Sequence, residues 1–321
     1  MKKILISVVI PCYCSESSIQ VVVNNLVNEF NLHGDDYQII LVNDNSPDKT
    51  FEIIQKMCKE DSRIMAINLS RNYGQQAARM AATSFIKGDY AVYMDDDGQH
   101  PASGVYKMIS KLKEGNYDVV YACFRHKKHS IFKRIISRIN LWTLNFLVGK
   151  SENVRKSSFF VVRQYIYKEM ERYKSPFPYY PGFLMQITTN MGDVELEHRA
   201  RIDGKHTTYT LRKLLSVYLM GVTGFSVVPL RFSAAVGLVT AGIGFCAGVY
   251  RIIFKIFYPA VSVGYTSLIA TILFTSGMLM MMLGIVGEYV GRIYMTANNL
   301  PQYTIKEVIG QQESQDEGND G

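Results

Sequence analysis

The chain is short of cysteine, of tryptophan and, at one end, of positive charge. Five cysteines (Cys12, Cys14, Cys58, Cys123, Cys246) in 321 residues are an odd number, and no two form a Cys-x-x-Cys pair. That spacing argues against a disulfide framework and a zinc site, and it fits a reducing compartment. A leader pattern is also missing. "MKKILISVVIPCY" has two lysines but only a short apolar run and no small-residue cleavage site, so a first strand is expected there. The last stretch, "QQESQDEGNDG", holds Glu313, Asp316, Glu317 and Asp320 and no base. The acidic tail after Tyr303 is expected to be disordered. The whole chain carries +7, so without those four acids the body stands at +11. A basic body suggests an anionic partner: nucleic acid, anionic lipid or a phosphorylated substrate.

What is present divides into two halves. Up to about residue 200, short β-branched runs at 4–11, 37–44, 64–70, 90–96 and 117–124 alternate with helical patterns at 17–30, 49–60, 74–85 and 103–113. This alternation predicts an α/β fold with a mostly parallel sheet covered by helices. Ligands of such sheets bind beyond the carboxyl ends of the strands. The strand ends here read "PCYCSE", "NDNSPDKT", "SRNYG" and "DDDGQH", rich in acids, amides and turn residues.

The second half suits a different solvent. Residues 232–250 and 261–287 contain no charge, and each run is about the length of a spanning helix. A short connector around Tyr258-Pro259-Ala260 makes them a hairpin, with spans expected at about 232–257 and 263–287 within a region 229–292. Arg212, Lys213, Arg231 and Arg292 flank one side, which the positive-inside bias makes cytoplasmic; Arg251 and Lys255 pull the other way. The stretch 209–228 mixes Arg212 and Lys213 with Leu211, Leu214, Leu215 and Leu219. It reads as an amphipathic interfacial helix or as an ordinary packing helix. Domain 1–208 would then be the catalytic unit, and 293–321 a tail.

The run "YAVYMDDDGQHP" ends an apolar strand in three carboxylates. Alternation in an extended segment puts Asp95 and Asp97 on one face and Asp96 on the other. Two converging carboxylates suit Mg²⁺ or Mn²⁺ held with water and a diphosphate, while a solvated Asp-rich turn is the plain alternative. Gln99 and His100 stand ready to add a ligand or a hydrogen bond. Asp44 at the second strand end is placed to accept hydrogen bonds from a nucleobase. Pro11 is expected to end the first strand, with Tyr13 packing near a base or ribose.

These segments together resemble the family 2 glycosyltransferases of the GT-A (nucleotide-diphospho-sugar transferase, Rossmann-like) type, and more narrowly the polyprenyl-phosphate glycosyltransferases. The matching stretches are "SVVIPCYCSE", "LVNDNSPDKT", "INLSRNYGQQAA", "YMDDDGQHP", "HRARIDGKHTTYTLRKLL" and "GIVGEYVGRIY", along nearly the whole chain. The resemblance implies a membrane-anchored enzyme with a cytoplasmic GT-A domain and a two-helix transmembrane hairpin in the plasma membrane. It would move a sugar, with inversion, from a nucleotide sugar to polyprenyl phosphate. It further implies Asp95 and Asp97 as catalytic acids and Asp95, Asp97 and Gln99 as metal contacts. Pro11, Tyr13, Glu16, Asp44 and Asp95 would bind the nucleotide. Arg125, Lys133 or Arg134 with Ser137, and Arg201 would hold the lipid phosphate. A homo-oligomer, a tetramer, and a UDP-sugar donor go with the same likeness.

The chain also departs from the family pattern. Cys14 and Ser15 stand where Asn and Glu are usual, with Glu16 one place on. Asn43 replaces the first of two acids, and Gln75 replaces a Lys or His. Ser157 and Ser158 occupy the place of an acid. A lipid phosphate is mostly ionised at neutral pH, with a second pKa of about 6, so its oxygen needs no general base. The basic segment 125–138 reads as a solvated helix face, a nucleic-acid surface or a lipid-phosphate site; beside a hairpin the lipid reading leads, and no nucleic acid is expected. Trp142 is placed to dip into the interface, and residues 176–181 form a stiff aromatic loop over the sugar pocket or on the surface. A polysaccharide synthase, a transferase to another lipid, and a non-catalytic sugar-nucleotide-binding scaffold remain alternatives. On this reading Asp97→Ala abolishes transfer and Asp96→Ala is comparatively mild.

Overall fold

A computed structural model of the chain describes residues 3–124, 157–197, 201–202, 227–258 and 264–310. The described chain forms two compact units. One runs from the start to residue 210 and resumes at 299; the other spans 211–298.

The first unit is built on an eight-stranded sheet. Its strands are β1 (Leu5–Cys12), β2 (Asp36–Asn43), β3 (Ile64–Leu69), β4 (Tyr90–Tyr93), β5 (Val119–Phe124), β6 (Phe160–Arg163), β7 (Met191–Leu196) and β8 (Ile305–Ile309). The spatial order is β7-β5-β6-β4-β1-β2-β3-β8. The pairs β1–β2, β1–β4, β2–β3 and β5–β7 are parallel, and β4–β6, β5–β6 and β3–β8 are antiparallel. The sheet is thus mixed, with four of its seven pairings parallel. The first five strands and the helices between them, α1 (Ile19–His33), α2 (Thr50–Glu60), α3 (Gln75–Thr83) and α4 (Gly104–Glu114), lie where the hydrophobic pattern puts them.

Helices cover both faces because both faces of each central strand are apolar. On β2, Ile39 and Leu41 join a core with Leu26 and Phe30 of α1, Ile54 of α2 and Met108 of α4. Ile40 and Val42 point the other way. They meet Ala78 and Ala81 of α3, Ile166 of α5 (Gln164–Glu171) and Tyr180 of α6 (Tyr180–Ile187). The small residues on α3 let it lie close to the sheet. Tyr180, read from sequence as part of an aromatic loop, is 1% exposed and packs in the core, 4.8 Å from Tyr93 and 5.6 Å from Phe160 between ring centroids.

Pro11 does not end β1. It pairs in register with Val42, and the strand continues to Cys12. Val9 accepts a hydrogen bond from the Met94 amide, so Val9 and Pro11 both face β4. The ladder with β4 stops at the Val9–Tyr93 pair. No ladder bond therefore asks for the missing proline N–H.

The tail after Tyr303 is not disordered at its start: residues 305–309 form strand β8, held by its pairing with β3. β8 pairs with the far side of β3, and Gly310 at its end has φ +83, with Ile64 O only 2.6 Å from where a Cβ would stand. The second unit consists of α7 (Val228–Phe257) and α8 (Tyr265–Ala297). Both contain stretches long and apolar enough to cross a membrane, Val228–Tyr250 and Thr271–Ala297. Gly237 of α7 opens onto Met282 of α8, and the Thr240 hydroxyl lies 3.6 Å from Met278 Sδ. Phe245, Leu238, Phe274 and Met280 project outward. A helix apolar all round in this way is stable in lipid rather than in water. Residues 203–226, including most of the expected interfacial helix, lie outside the described residues.

Gly88 marks another tight crossing in the first unit. Its amide donates to Ser7 Oγ at 2.9 Å and its carbonyl accepts from the Tyr167 hydroxyl at 2.7 Å. A Cβ there would stand 2.7 Å from Ser7 N and 2.8 Å from Leu5 O, both backbone atoms. Gly88→Ala is expected to lower stability by about 2 kcal/mol through overpacking, read as a fall in thermal unfolding temperature.

Candidate active site

The carboxyl ends of β1 to β4 meet on one edge of the sheet, since β1 is parallel to both β2 and β4 and β2 to β3. The turn after β1 is tied down there by other loops. Four consecutive amides each donate to a different side chain. Tyr13 N reaches Asp96 Oδ2 at 3.1 Å, Cys14 N reaches Ser46 Oγ at 3.2 Å, and Ser15 N reaches Thr50 Oγ1 at 2.9 Å. The fourth, Glu16 N, lies 3.4 Å from Asp48 Oδ2. Cys14 adopts a left-handed φ of 54°, which an L-residue keeps only where surroundings enforce it. Glyco- and nucleotide-phosphate loops that grip an anion by backbone do so with free N–H groups. Those of residues 13–16 are already used, so an anion here has to be held by side chains or a cation.

Glu16 belongs to the same strap. Its Oε2 accepts the Lys49 amide at 3.1 Å, just before α2, so the structure gives it a capping partner. Tyr13 is half exposed at the mouth of this edge, whereas Pro11 is buried within its strand. Asp44 is 3% exposed, and its two oxygens accept the Tyr73 amide at 2.7 Å and the Gly74 amide at 2.8 Å. Burial pushes its carboxyl above the ordinary range, against the pull of those two amides. It thereby fixes the β3–α3 turn.

The three acids of the opening triplet go to three different places. Asp95 turns toward α3 and β6. Its Oδ1 accepts from Gln75 Nε2 at 2.5 Å and from Arg79 Nη2 at 3.2 Å; its Oδ2 accepts from Ser158 Oγ at 2.6 Å. Its own amide donates to His100 Nδ1 at 3.0 Å, and His100 stacks on Phe159 with 4.7 Å between ring centroids. Burial opposes ionisation, but His100, Arg79, Ser158 and Gln75 outweigh it and hold the Asp95 carboxyl below its ordinary value. Arg79 also donates to Ser158 O at 3.1 Å, so one guanidinium ties helix, acid and strand together.

Asp96 does not point away from the site. Its carboxylate faces the β1 turn through the Tyr13 amide; β4 ends at Tyr93, and strand alternation is not a guide beyond that point. Burial pushes its pKa up to about 6, offset in part by the Tyr13 amide and Ser15. Asp97 Oδ1 accepts the Gln99 amide at 3.0 Å, and Oδ2 lies 3.5 Å from Arg201 Nε. The Asp97 carbonyl accepts the Ile202 amide at 3.1 Å, and the Ile202 side chain covers Gly98. Two residues assigned by resemblance to separate jobs, Asp97 and Arg201, are therefore neighbours. Gln99 meets Asp97 through its backbone. Arg125, Lys133, Arg134, Ser137 and Trp142 lie outside the described residues.

Among the described residues, no three His, Cys, Asp or Glu side chains converge as a metal cage. A hard divalent cation needs only one or two carboxylates when water and phosphates complete its shell. Asp97 fits that demand, since among the described residues each of its oxygens has one polar neighbour. Asp95 carries three side-chain donors and has less capacity to spare. Gln75, Arg79 and Ser158 as partners of Asp95 were missed from sequence. The signal was a lone arginine in the alanine-rich α3, four residues after Gln75 and so on the same helix face.

Comparison with known proteins adds the following. The profile of Glycosyl transferase family 2 matches residues 7–183, and that of the GtrB C-terminal hairpin matches residues 228–293. The chain is 31% identical to the uncharacterized glycosyltransferase YkcC of Bacillus subtilis, covering 95% of this chain and 94% of that protein. It is 29% identical to an undecaprenyl-phosphate 4-deoxy-4-formamido-L-arabinose transferase of Yersinia enterocolitica, over 97% and 95% of the two chains. Among solved structures, glucosyl-3-phosphoglycerate synthase from Mycobacterium tuberculosis, in complex with UDP, superposes with a TM-score of 0.50 at 18% identity. It covers 68% of this chain and 78% of that one, a likeness of fold.

Two substitutions test the electrostatics. Arg79, whose side chain is 3% exposed, is the guanidinium paired with Asp95, and its removal breaks that buried pair. Arg79→Ala should cost about 3 kcal/mol or more of stability, measured by denaturant unfolding. Asp96 has a folded pKa of about 6, above the ordinary 3.8. Its contribution to stability is therefore fullest below pH 4 and is lost as pH rises through 6. Asp96→Asn, still able to accept the Tyr13 N–H, should leave thermal stability nearly unchanged near pH 4 and raise it at pH 7.5.

Proposed function

Because this chain belongs to glycosyl transferase family 2 and is a glycosyltransferase, we propose that it moves a sugar from a nucleotide sugar to polyprenyl phosphate. The donor is a UDP-sugar and the acceptor an undecaprenyl-type lipid phosphate; the product is a lipid-linked monosaccharide for modifying cell-envelope glycans. The observation that carries this reading is the combination, in one chain, of an acidic strand-end site with a segment matched by the GtrB C-terminal hairpin. The end-to-end likeness to a protein named as an undecaprenyl-phosphate sugar transferase supports the acceptor. The chain is membrane-associated by its two apolar helices. A multi-pass hairpin in the plasma membrane with the catalytic unit on the cytoplasmic side fits the distribution of its arginines and lysines.

In this mechanism a phosphate oxygen of the lipid attacks the anomeric carbon. The new carbon–oxygen bond forms as the bond to the nucleoside diphosphate breaks, and the electron pair leaves with the diphosphate. In-line attack inverts the anomeric centre. The attacking oxygen is already ionised near neutral pH, its pKa being about 6, so no side chain has to remove a proton. The two serines in place of the family acid agree with that economy: Ser158 Oγ donates to Asp95, and Ser157 Oγ donates to Phe159 O at 2.9 Å. Asp97, with Asp95 and Gln99, would hold a Mg²⁺ or Mn²⁺ ion, which when bound neutralises charge on the departing diphosphate. Arg201, beside Asp97, is positioned to take a phosphate oxygen. Tyr13 at the mouth packs on the base or ribose, and Asp96 holds the amide of that same residue. Asp96→Ala accordingly belongs among the damaging changes, acting on donor binding, rather than the mild ones.

The assay uses the purified full chain with Mn²⁺, labelled UDP-sugars and a short polyprenyl phosphate. Product that requires the lipid phosphate is expected; polymer would indicate a synthase, and binding without turnover a scaffold. Asp97→Asn should lower kcat/KM by about 100-fold or more. Ser157→Ala should stay within about threefold of the parent, since the ionised phosphate needs no base. A folded, metal-replete Ser157→Ala protein with a large loss of rate would overturn the base-free mechanism.

A further inference from the structure

Four neighbouring strands carry a row of side chains in register. Cys12 of β1 pairs with Asn43 of β2, Asn43 with Asn68 of β3, and Asn68 with Glu307 of β8. Residues opposite one another on adjacent strands share a face of the sheet. From Asn43 outward the row is a directed chain of hydrogen bonds. The Ser46 amide donates to Asn43 Oδ1 at 3.3 Å, Asn43 Nδ2 donates to Asn68 Oδ1 at 2.8 Å, and Asn68 Nδ2 donates to Glu307 Oε1 at 3.0 Å. At its inner end the chain meets the strap described above, because Ser46 Oγ takes the amide of Cys14.

The direction of the chain is set at both ends. A backbone N–H at Ser46 needs an acceptor, so the Asn43 oxygen turns inward and its nitrogen outward. A carboxylate at Glu307 only accepts, so Asn68 must turn its nitrogen toward it. The two carboxamides between them are then fixed in one orientation. Asn43 is 2% exposed and Asn68 6% exposed, so neither turns to water instead.

We propose that Asn43 and Glu307 form a matched pair of positioning residues: the acid on the returning strand β8 sets, through Asn68, the turn that carries Ser46 and the Tyr13–Cys14 strap. The proposal rests on the nucleotide-binding reading of that turn. Asn43 stands where the family resemblance leads one to expect an acid. An aspartate at 43 would still accept from Ser46, but it has no proton to give Asn68. Asn68 would have to turn over, and its oxygen would then face the oxygen of Glu307. Exchanging Glu307 for glutamine supplies a donor there and lets the turned-over chain close again.

The test is a double-substitution cycle on the full chain in detergent, read by thermal unfolding and by calorimetric affinity for UDP with Mn²⁺. Glu307→Gln alone should stay within about twofold in UDP affinity. Asn43→Asp should lower the unfolding temperature and weaken UDP by about tenfold, the size of one mispaired buried hydrogen bond. Asn43→Asp with Glu307→Gln should return to within about threefold of the parent, whereas Asn43→Asp with Glu307→Ala should not. If the Gln double variant melts as low and binds as weakly as Asn43→Asp alone, the pairing is wrong. If the double variant recovers its melting temperature but not its affinity, the row is a stabilising ladder only and the positioning role falls. A parent protein that binds neither UDP nor GDP overturns the nucleotide reading and the positioning role with it, while the unfolding cycle still decides the Asn43–Glu307 pairing.

Discussion

The site depends on a constraint in hydrogen bonding: four consecutive amides of the turn after β1 are already given away. Residues 13 to 16 lend their N–H groups to oxygens of Asp96, Ser46, Thr50 and Asp48, and Asp44 takes two more amides from the β3–α3 turn. Buried polar groups have to be paired, and here the pairing is done across loops rather than within them. Four strand-end loops thereby become one piece. The left-handed residues Cys14 and Asn45 are held by the same arrangement. A site made this way is rigid, and it leaves anion recognition to side chains and to a cation.

Acids in such a place need different supports for different tasks. Asp95 is surrounded by donors and is held below the ordinary range, while Asp96, one residue on, is half-buried with only the Tyr13 amide and Ser15 for support and rises to about 6. Asp97 is the acid with neighbours few enough to accept something new. A run of three like charges is tolerable because the three do not share one environment.

Much of this was legible in the sequence. The alternation of apolar runs located β1 to β5 and α1 to α4, since buried strands and amphipathic helices leave periods that local reading detects. Long uncharged runs located α7 and α8, although α8 continues past residue 287 to Ala297. β6, β7 and β8 were not picked out, because short strands whose partners lie far along the chain carry little local signal; Phe160–Arg163 is four residues long. In the site, the strand-end loops singled out by residue type are the ones that hydrogen-bond to one another. The direction of Asp96 was misread because strand alternation is not a guide beyond Tyr93, where β4 ends. The role of Arg79 was missed because nothing in a helix names the strand-end acid it will meet.

Strand β8 also sets an order of events during synthesis. The chain supplies β3 early, but the strand that covers its outer edge comes only after α7 and α8 have been made. Until then β3 is an uncovered edge, with Ile64, Met65 and Ile67 among its residues and backbone groups free to pair with another chain. Completion of the catalytic sheet is thus tied to completion of the apolar hairpin. A nascent chain stalled or cut within the hairpin carries an open sheet edge, the kind of exposed surface by which aggregation begins.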